Sequence, residues 1–133
     1  MNKVSKKEFT HLKIHTQYSI CEGALRTTDL AKYCKTNQIK AVGLCDSNNL
    51  CGALEFSESI AKSKTQPIIG TQISIQYKGN RGKIPLFAKN LEGYKNLIKL
   101  SSKSFLEIKE DEEPHCKIED LEENCRGLIL LSG

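Results

Sequence analysis

Five apolar residues in a row, Ala41-Val42-Gly43-Leu44-Cys45, stand between two stretches with helical spacing. A short apolar run without polar alternation suits a strand buried on both faces, and such strands belong to parallel sheets covered by helices. On the amino side, Leu30, Ala31 and Cys34 space one apolar stripe, with Thr27 and Thr28 as helix caps before Asp29. On the carboxyl side, Asn48 and Asn49 lead into a second helix with Leu50, Ala53, Leu54 and Ile60 on its inner side. A buried strand between two amphipathic helices predicts an α/β fold.

The rest of the chain continues this alternation. His11 to His15 reads as a short strand with His11, Lys13 and His15 on one face and Leu12 and Ile14 on the other. Pro67 opens a strand over residues 68–77, Gly79-Asn80-Arg81-Gly82 is turn chemistry, and residues 84–88 form the return strand of a hairpin. Residues 91–106 make an amphipathic helix through Tyr94, Leu97, Ile98 and Leu100. An acidic stretch from Lys109 to Pro114 is expected as a solvated loop, residues 118–124 as a short acidic helix, and residues 128–131 as a final buried strand. A chain that stops at a buried strand reads as a cut domain, because such a strand needs a neighbour on each side. At 133 residues there is room for one small domain, divided here into a tail at 1–8 and the domain at 9–133.

Composition narrows the functional classes. With 38% hydrophobic and 27% charged residues, the chain is of the folded rather than the disordered type. Its longest apolar runs, such as Gly127 to Leu131, are too short to cross a bilayer, and the basic start has no apolar stretch behind it, so the expected location is the cytoplasm with no membrane partner. None of the six cysteines forms a Cys-x-x-Cys pair, which speaks against a zinc ribbon or thioredoxin-type site and for reduced, buried, structural thiols. A net charge of +4 without a dense Lys/Arg run makes no phosphate track.

Five stretches, in order and with similar spacing, carry a family resemblance: Phe9 to Ser19, Leu44 to Phe56, Lys64 to Gly70, Ala88 to Ile98, and Glu123 to Gly133. Together they resemble the polymerase-and-histidinol-phosphatase (PHP) domain found at the amino terminus of bacterial DNA polymerase III alpha subunits. The likeness implies the first half of a distorted (β/α)7 barrel, hence an incomplete one, with its site at the carboxyl ends of the strands. It also implies a parent protein that copies DNA with magnesium and deoxynucleoside triphosphates at a site outside this segment. Its partners would be DNA, a proofreading exonuclease subunit and other replisome subunits. This segment would be a scaffold with no catalytic residue and no cofactor of its own.

In metal-binding members of this family, the first strand ends in His-x-His and the second in Thr-Asp-His. A Glu follows the Gly of the third, and a His begins the hairpin's return strand. The matching positions here are Lys13-Ile14-His15, Cys45-Asp46-Ser47, Gln72 and Lys83. Imidazole and carboxylate bind divalent metals, whereas a charged lysine has three donors and no lone pair. Two ammonium groups would also repel a cation, by about 4 kcal/mol per pair at roughly 4 Å in a medium of intermediate polarity. The site is thus expected to be degenerate, with internal cations paired to Asp46 where metals would sit.

Plainer readings stand beside these. His11 and His15 could ligate a metal, but Lys13 between them favours a hydrogen-bonded pair. Asp46 could be a general base, or a remnant that neutralises Lys13 or caps the next helix. Cys45 and Cys51 read as small buried hydrophobes, and His115 as exposed. Residues 90–96 could be a partner surface or an ordinary helix start. Two other functions remain open: a free-standing PHP-type metal-dependent phosphoesterase, and an independent replisome interaction module.

Overall fold

The computed structural model describes residues 9–132; the tail assigned to residues 1–8 and the last residue, Gly133, lie outside the described residues. The elements run α1 (Thr27–Thr36), β1 (Ala41–Ser47), α2 (Ala53–Lys62), β2 (Gln66–Tyr77), β3 (Asn80–Ala88), α3 (Leu91–Leu106), β4 (Cys116–Lys117), α4 (Ile118–Glu123) and β5 (Leu128–Leu130). The strands make one five-stranded sheet in the order β1-β2-β3-β5, with β4 pairing to the far end of β2. This is the expected α/β fold in the form of an open, mixed sheet.

The apolar run is β1, whose residues 42–46 are all buried. It pairs in parallel with β2, from Ala41↔Gln66 to Ser47↔Gln72, and α2 supplies the crossover such a pair requires. The β2–β3 hairpin is antiparallel, from Gly70↔Phe87 to Tyr77↔Asn80. Its turn is tighter than the expected 79–82: Lys78 and Gly79 alone make it, with φ of 47° and 79°, a two-residue turn of the mirror-image type that suits the twist of hairpins. Asn80, Arg81 and Gly82 belong to β3.

Strand alternation sorts the sheet into two faces. Val42, Leu44, Ile73, Ile75 and Leu86 point toward the helices and form two clusters. One joins Val42 and Leu44 to Leu30, Ala31 and Cys34 of α1 and to Ala53, Phe56 and Ile60 of α2. The other joins Ile73, Ile75 and Leu86 to Leu97 and Leu100 of α3, with Cys116 and Leu121. Helix α3 matches its expected range, capped by Asn90, whose side chain accepts from the Gly93 amide at 2.9 Å. A Cβ on Gly93 would lie 1.9 Å from the Gly127 carbonyl oxygen, so this glycine lets the segment before β5 dock against α3.

Several local expectations are corrected. Residues 11–15 lie beside β1, giving the Gly43 and Cys45 amides their acceptors at His11 and Ile14 (2.8 Å each), but they form no ladder. A tight bond from the Ile14 amide to the Leu12 carbonyl, 3.1 Å, breaks the extended course. Helix α1 is preceded by Arg26 at its cap position, not by a threonine, and Thr27 is buried in the first turn. Leu54 faces solvent at 72% exposure, while Phe56 fills the inward position. Strand β5 is antiparallel to β3 and half-exposed rather than a buried parallel strand. No described helix is long and apolar enough to cross a membrane.

Candidate functional site

The carboxyl end of β1 and the middles of β2 and β3 meet beneath one loop, residues 16–25. Ser47 pairs with Gln72, and Lys83 pairs with Ser74, two residues on from Gln72. Cross-strand partners share a face and so do residues two apart, so Ser47, Gln72 and Lys83 lie on the sheet face turned away from the helices. Asp46, the neighbour of Ser47, points to the other side of β1. The structure therefore gathers Ser47, Gln72 and Lys83 and separates Asp46 from them.

Asp46 is fully buried, and its partners are not lysines. Its Oδ1 accepts from the Thr16 amide and the Ser19 hydroxyl, each at 2.6 Å, and its Oδ2 from the Thr16 hydroxyl at 2.7 Å. Short, charge-assisted bonds to three donors satisfy a buried carboxylate without a counter-ion. The expected pairing of Asp46 with Lys13 or Lys83 is corrected: Lys13 is exposed, and Lys83 turns to another acid. Asp46 does not cap α2 either. It is the anchor of the loop, and the Ser47 amide adds a bond to the Ser19 hydroxyl at 3.2 Å.

That other acid is Glu22, which reading the sequence had missed. Lys83 Nζ donates to Glu22 Oε1 at 2.6 Å, and the Ser47 hydroxyl donates to the second carboxylate oxygen. The Lys83 ammonium, and then the Ser47 hydroxyl, hold the Glu22 carboxyl below the usual glutamate range, and His15 adds a smaller pull in the same direction. His15 is half-buried, with Nδ1 3.5 Å from the Ser19 hydroxyl. The signal in the sequence is Cys21-Glu22-Gly23, an acid inside a turn that follows two hydroxyl residues: Cys21 takes a φ of 63° there.

The loop has a further anchor on α2. The Tyr18 ring lies over Gly52, where a Cβ would come within 2.5 Å of it. Its hydroxyl donates to Glu55 at 2.5 Å, and the Thr27 hydroxyl donates to the same carboxylate. Those bonds lower the Glu55 pKa, Thr27 first, and the Glu55 bond raises that of Tyr18. Gln72, only 5% exposed, leaves its Oε1 without a partner, which is the one orphaned side-chain acceptor found among the described buried groups.

As metal donors these residues fit poorly. Lys83 is a cation that occupies the nearest carboxylate, Asp46 is saturated by hydroxyl and amide donors, and Gln72 offers a neutral carbonyl. Among the described residues, no group of three or more His, Cys, Asp or Glu is placed to hold a metal ion. Burial pushes the Cys45 thiol up to about 12, the opposite of what a thiolate ligand requires. Cys34, Cys45 and Cys116 are buried as expected, but Cys51 is exposed, as are Cys21 and Cys125. His115, expected on the surface, is 6% exposed, with its amide bonded to the Ser104 carbonyl at 3.1 Å and Nδ1 2.8 Å from the Glu113 carbonyl oxygen.

Comparison with known proteins adds to this geometry. A family model described as PHP domain matches residues 11–133. The chain is 37% identical over 143 residues to a DNA polymerase III subunit alpha of Thermus aquaticus, a match covering 97% of the chain and 12% of that protein. It is 36% identical to the subunit of the same description from Caulobacter vibrioides, over all of the chain and 12% of the relative. For Helicobacter pylori the identity is 42%, over 76% of the chain and 9% of the relative. The chain thus spans about a tenth of the length of these curated relatives. Among solved structures, it is similar to a putative metal-dependent phosphoesterase from Bifidobacterium adolescentis, with a TM-score of 0.58 at 15% identity, covering 71% of this chain and 32% of that one. An amidohydrolase from Chromobacterium violaceum, described with bound sulfate and no metal, gives 0.59 at 17% identity with the same coverages. At such identities the two structures speak for the fold alone.

Proposed function

This chain belongs to the PHP domain family, and from that premise we propose that it is the PHP segment of a replicative DNA polymerase III alpha subunit, serving as a non-catalytic scaffold. The relatives named above support the parent. The whole protein would copy a DNA template, with magnesium and deoxynucleoside triphosphates at a site outside these residues. Its partners would be a proofreading exonuclease subunit and other replisome subunits, in the cytoplasm.

The observation that carries the non-catalytic reading is the state of the site's charged groups. Lys83 sits on the hairpin position where metal-binding members place a His, and its ammonium is bonded to Glu22 at 2.6 Å. Metal-assisted ester hydrolysis needs an ion to polarise phosphate and activate water. The residues at 13, 47, 72 and 83 supply neither anionic nor imidazole donors for one. A phosphoesterase reading has the likeness of fold in its favour, and the donor set against it. The test is hydrolysis of p-nitrophenyl phosphate with excess Mn²⁺ or Zn²⁺. The scaffold account expects no rate above the metal alone, and metal-dependent turnover abolished by Asp46→Ala would overturn it.

A further inference from the structure

The loop over residues 16–25 is tied down at several points, and they do not all reach the same part of the molecule. Thr16 and Ser19 tie it to Asp46 in β1. Tyr18 ties it to Gly52 and Glu55 at the start of α2. Glu22 ties it to Lys83 in β3, across 61 residues of sequence, and to Ser47 at the end of β1. Among these bonds, the Glu22–Lys83 pair is the one that joins the loop to the hairpin.

From this we infer that Glu22 and Lys83 form a latch, in which the Lys83 ammonium is a built-in cation that closes the loop onto the hairpin across the site a metal would otherwise bridge. The inference rests on the metal-free reading above and adds Glu22, which is not among the positions compared there. A divalent ion in such a position draws ligands from separate strands together through its charge. An ammonium with three donors can do the same for a carboxylate oxygen, and the hydroxyl of Ser47 holds the carboxylate's other oxygen. The geometry meets the requirement of a charge-assisted bond, at 2.6 Å. Both side chains keep solvent contact, 49% for Lys83 and 37% for Glu22, so the latch is screened by salt and opens easily.

Hydrogen exchange on the intact protein tests this. The reporters are the amides of Glu22 and Gly23, both bonded to the Ser19 carbonyl at 3.0 and 2.9 Å. Glu22→Gln and Lys83→Met should each speed their exchange by up to about fivefold. The double variant should go no further than either single one, Lys83→Arg should keep most of the protection, and α3 should be unaffected. High salt should loosen the wild-type loop in the same way. Unchanged exchange in both single variants would overturn the latch while leaving the metal-free reading standing. A wild-type loop that loosens with a chelator and tightens with Mn²⁺ would overturn that reading, and the latch with it.

Discussion

The helix-covered face of the sheet and the rim at the carboxyl end of β1, beside the middle of β2, share their strands but are held by different forces. On the covered face, Leu44, Phe56 and Ile60 in one cluster and Ile73, Leu86, Leu97 and Leu100 in the other are all fully buried. Their attraction is non-directional and grows with apolar area. At the rim, two buried residues of the loop, Thr16 and Ser19, close on one buried carboxylate, and a half-exposed ion pair finishes the contact. That arrangement is directional and fails when one partner is lost. A face of the first kind tolerates many sequences of similar volume. A rim of the second kind can change its chemistry one residue at a time, which is how a donor set can drift while the fold beneath it stays.

The comparison makes predictions of decreasing size. Phe56→Ala removes the largest fully buried side chain and should cost about 3–5 kcal/mol in urea unfolding. A loss under about 1 kcal/mol would mean that the covered face is not the main source of stability. Asp46→Ala strands the Thr16 amide and two hydroxyls, and should cost about 3 kcal/mol. Its exchange signature should be concentrated in residues 16–25, whereas that of Phe56→Ala should spread through α1 and α2. If both variants gave one pattern, the division between face and rim would be wrong. Asn90→Ala takes the cap from α3 and should cost about 1 kcal/mol, read as a lower melting temperature.

The smallest effect is the pH dependence of Glu22. Its folded pKa lies below the ordinary value of 4.5, chiefly through Lys83. A depressed acid contributes stability above its unfolded pKa and loses it as pH falls through the lower folded value. The loss should therefore appear only below about pH 4.5, should stay under about 1 kcal/mol for so exposed a pair, and should vanish in Glu22→Gln. An unaltered acid limb in that variant would assign the slope to other carboxylates.

The same contrast explains what could be read from the residues alone. The covered face repeats with a period, so β1, the β2–β3 hairpin and the whole of α3 were legible from apolar spacing. Leu54 was misplaced because the inward stripe of α2 is set by Ala53, Phe56 and Ile60 at helical spacing, and a residue two before Phe56 falls on the opposite side of the helix. The rim has no period. Its loop turns through Cys21 at positive φ and takes its order from contacts 25 to 61 residues away. The family pattern pointed to Lys13, His15, Asp46, Ser47, Gln72 and Lys83, but it could not say which acid would meet Lys83. Residues 11–15 alternate like a strand, yet the Ile14–Leu12 turn bond prevents a ladder. His115 lies in an acidic stretch that looks solvated, and only the docking of its amide on Ser104 buries it.

Metal content is the most direct test of the claim that this PHP rim is held by side chains rather than ions. The protein would be saturated with Mn²⁺ and Zn²⁺, dialysed, and assayed by elemental analysis alongside the Glu22→Gln and Lys83→Met variants. The account predicts no retained metal in the wild type and no change in melting temperature on adding a chelator. A stoichiometric ion that survives dialysis, and whose removal lowers the melting temperature, would contradict it.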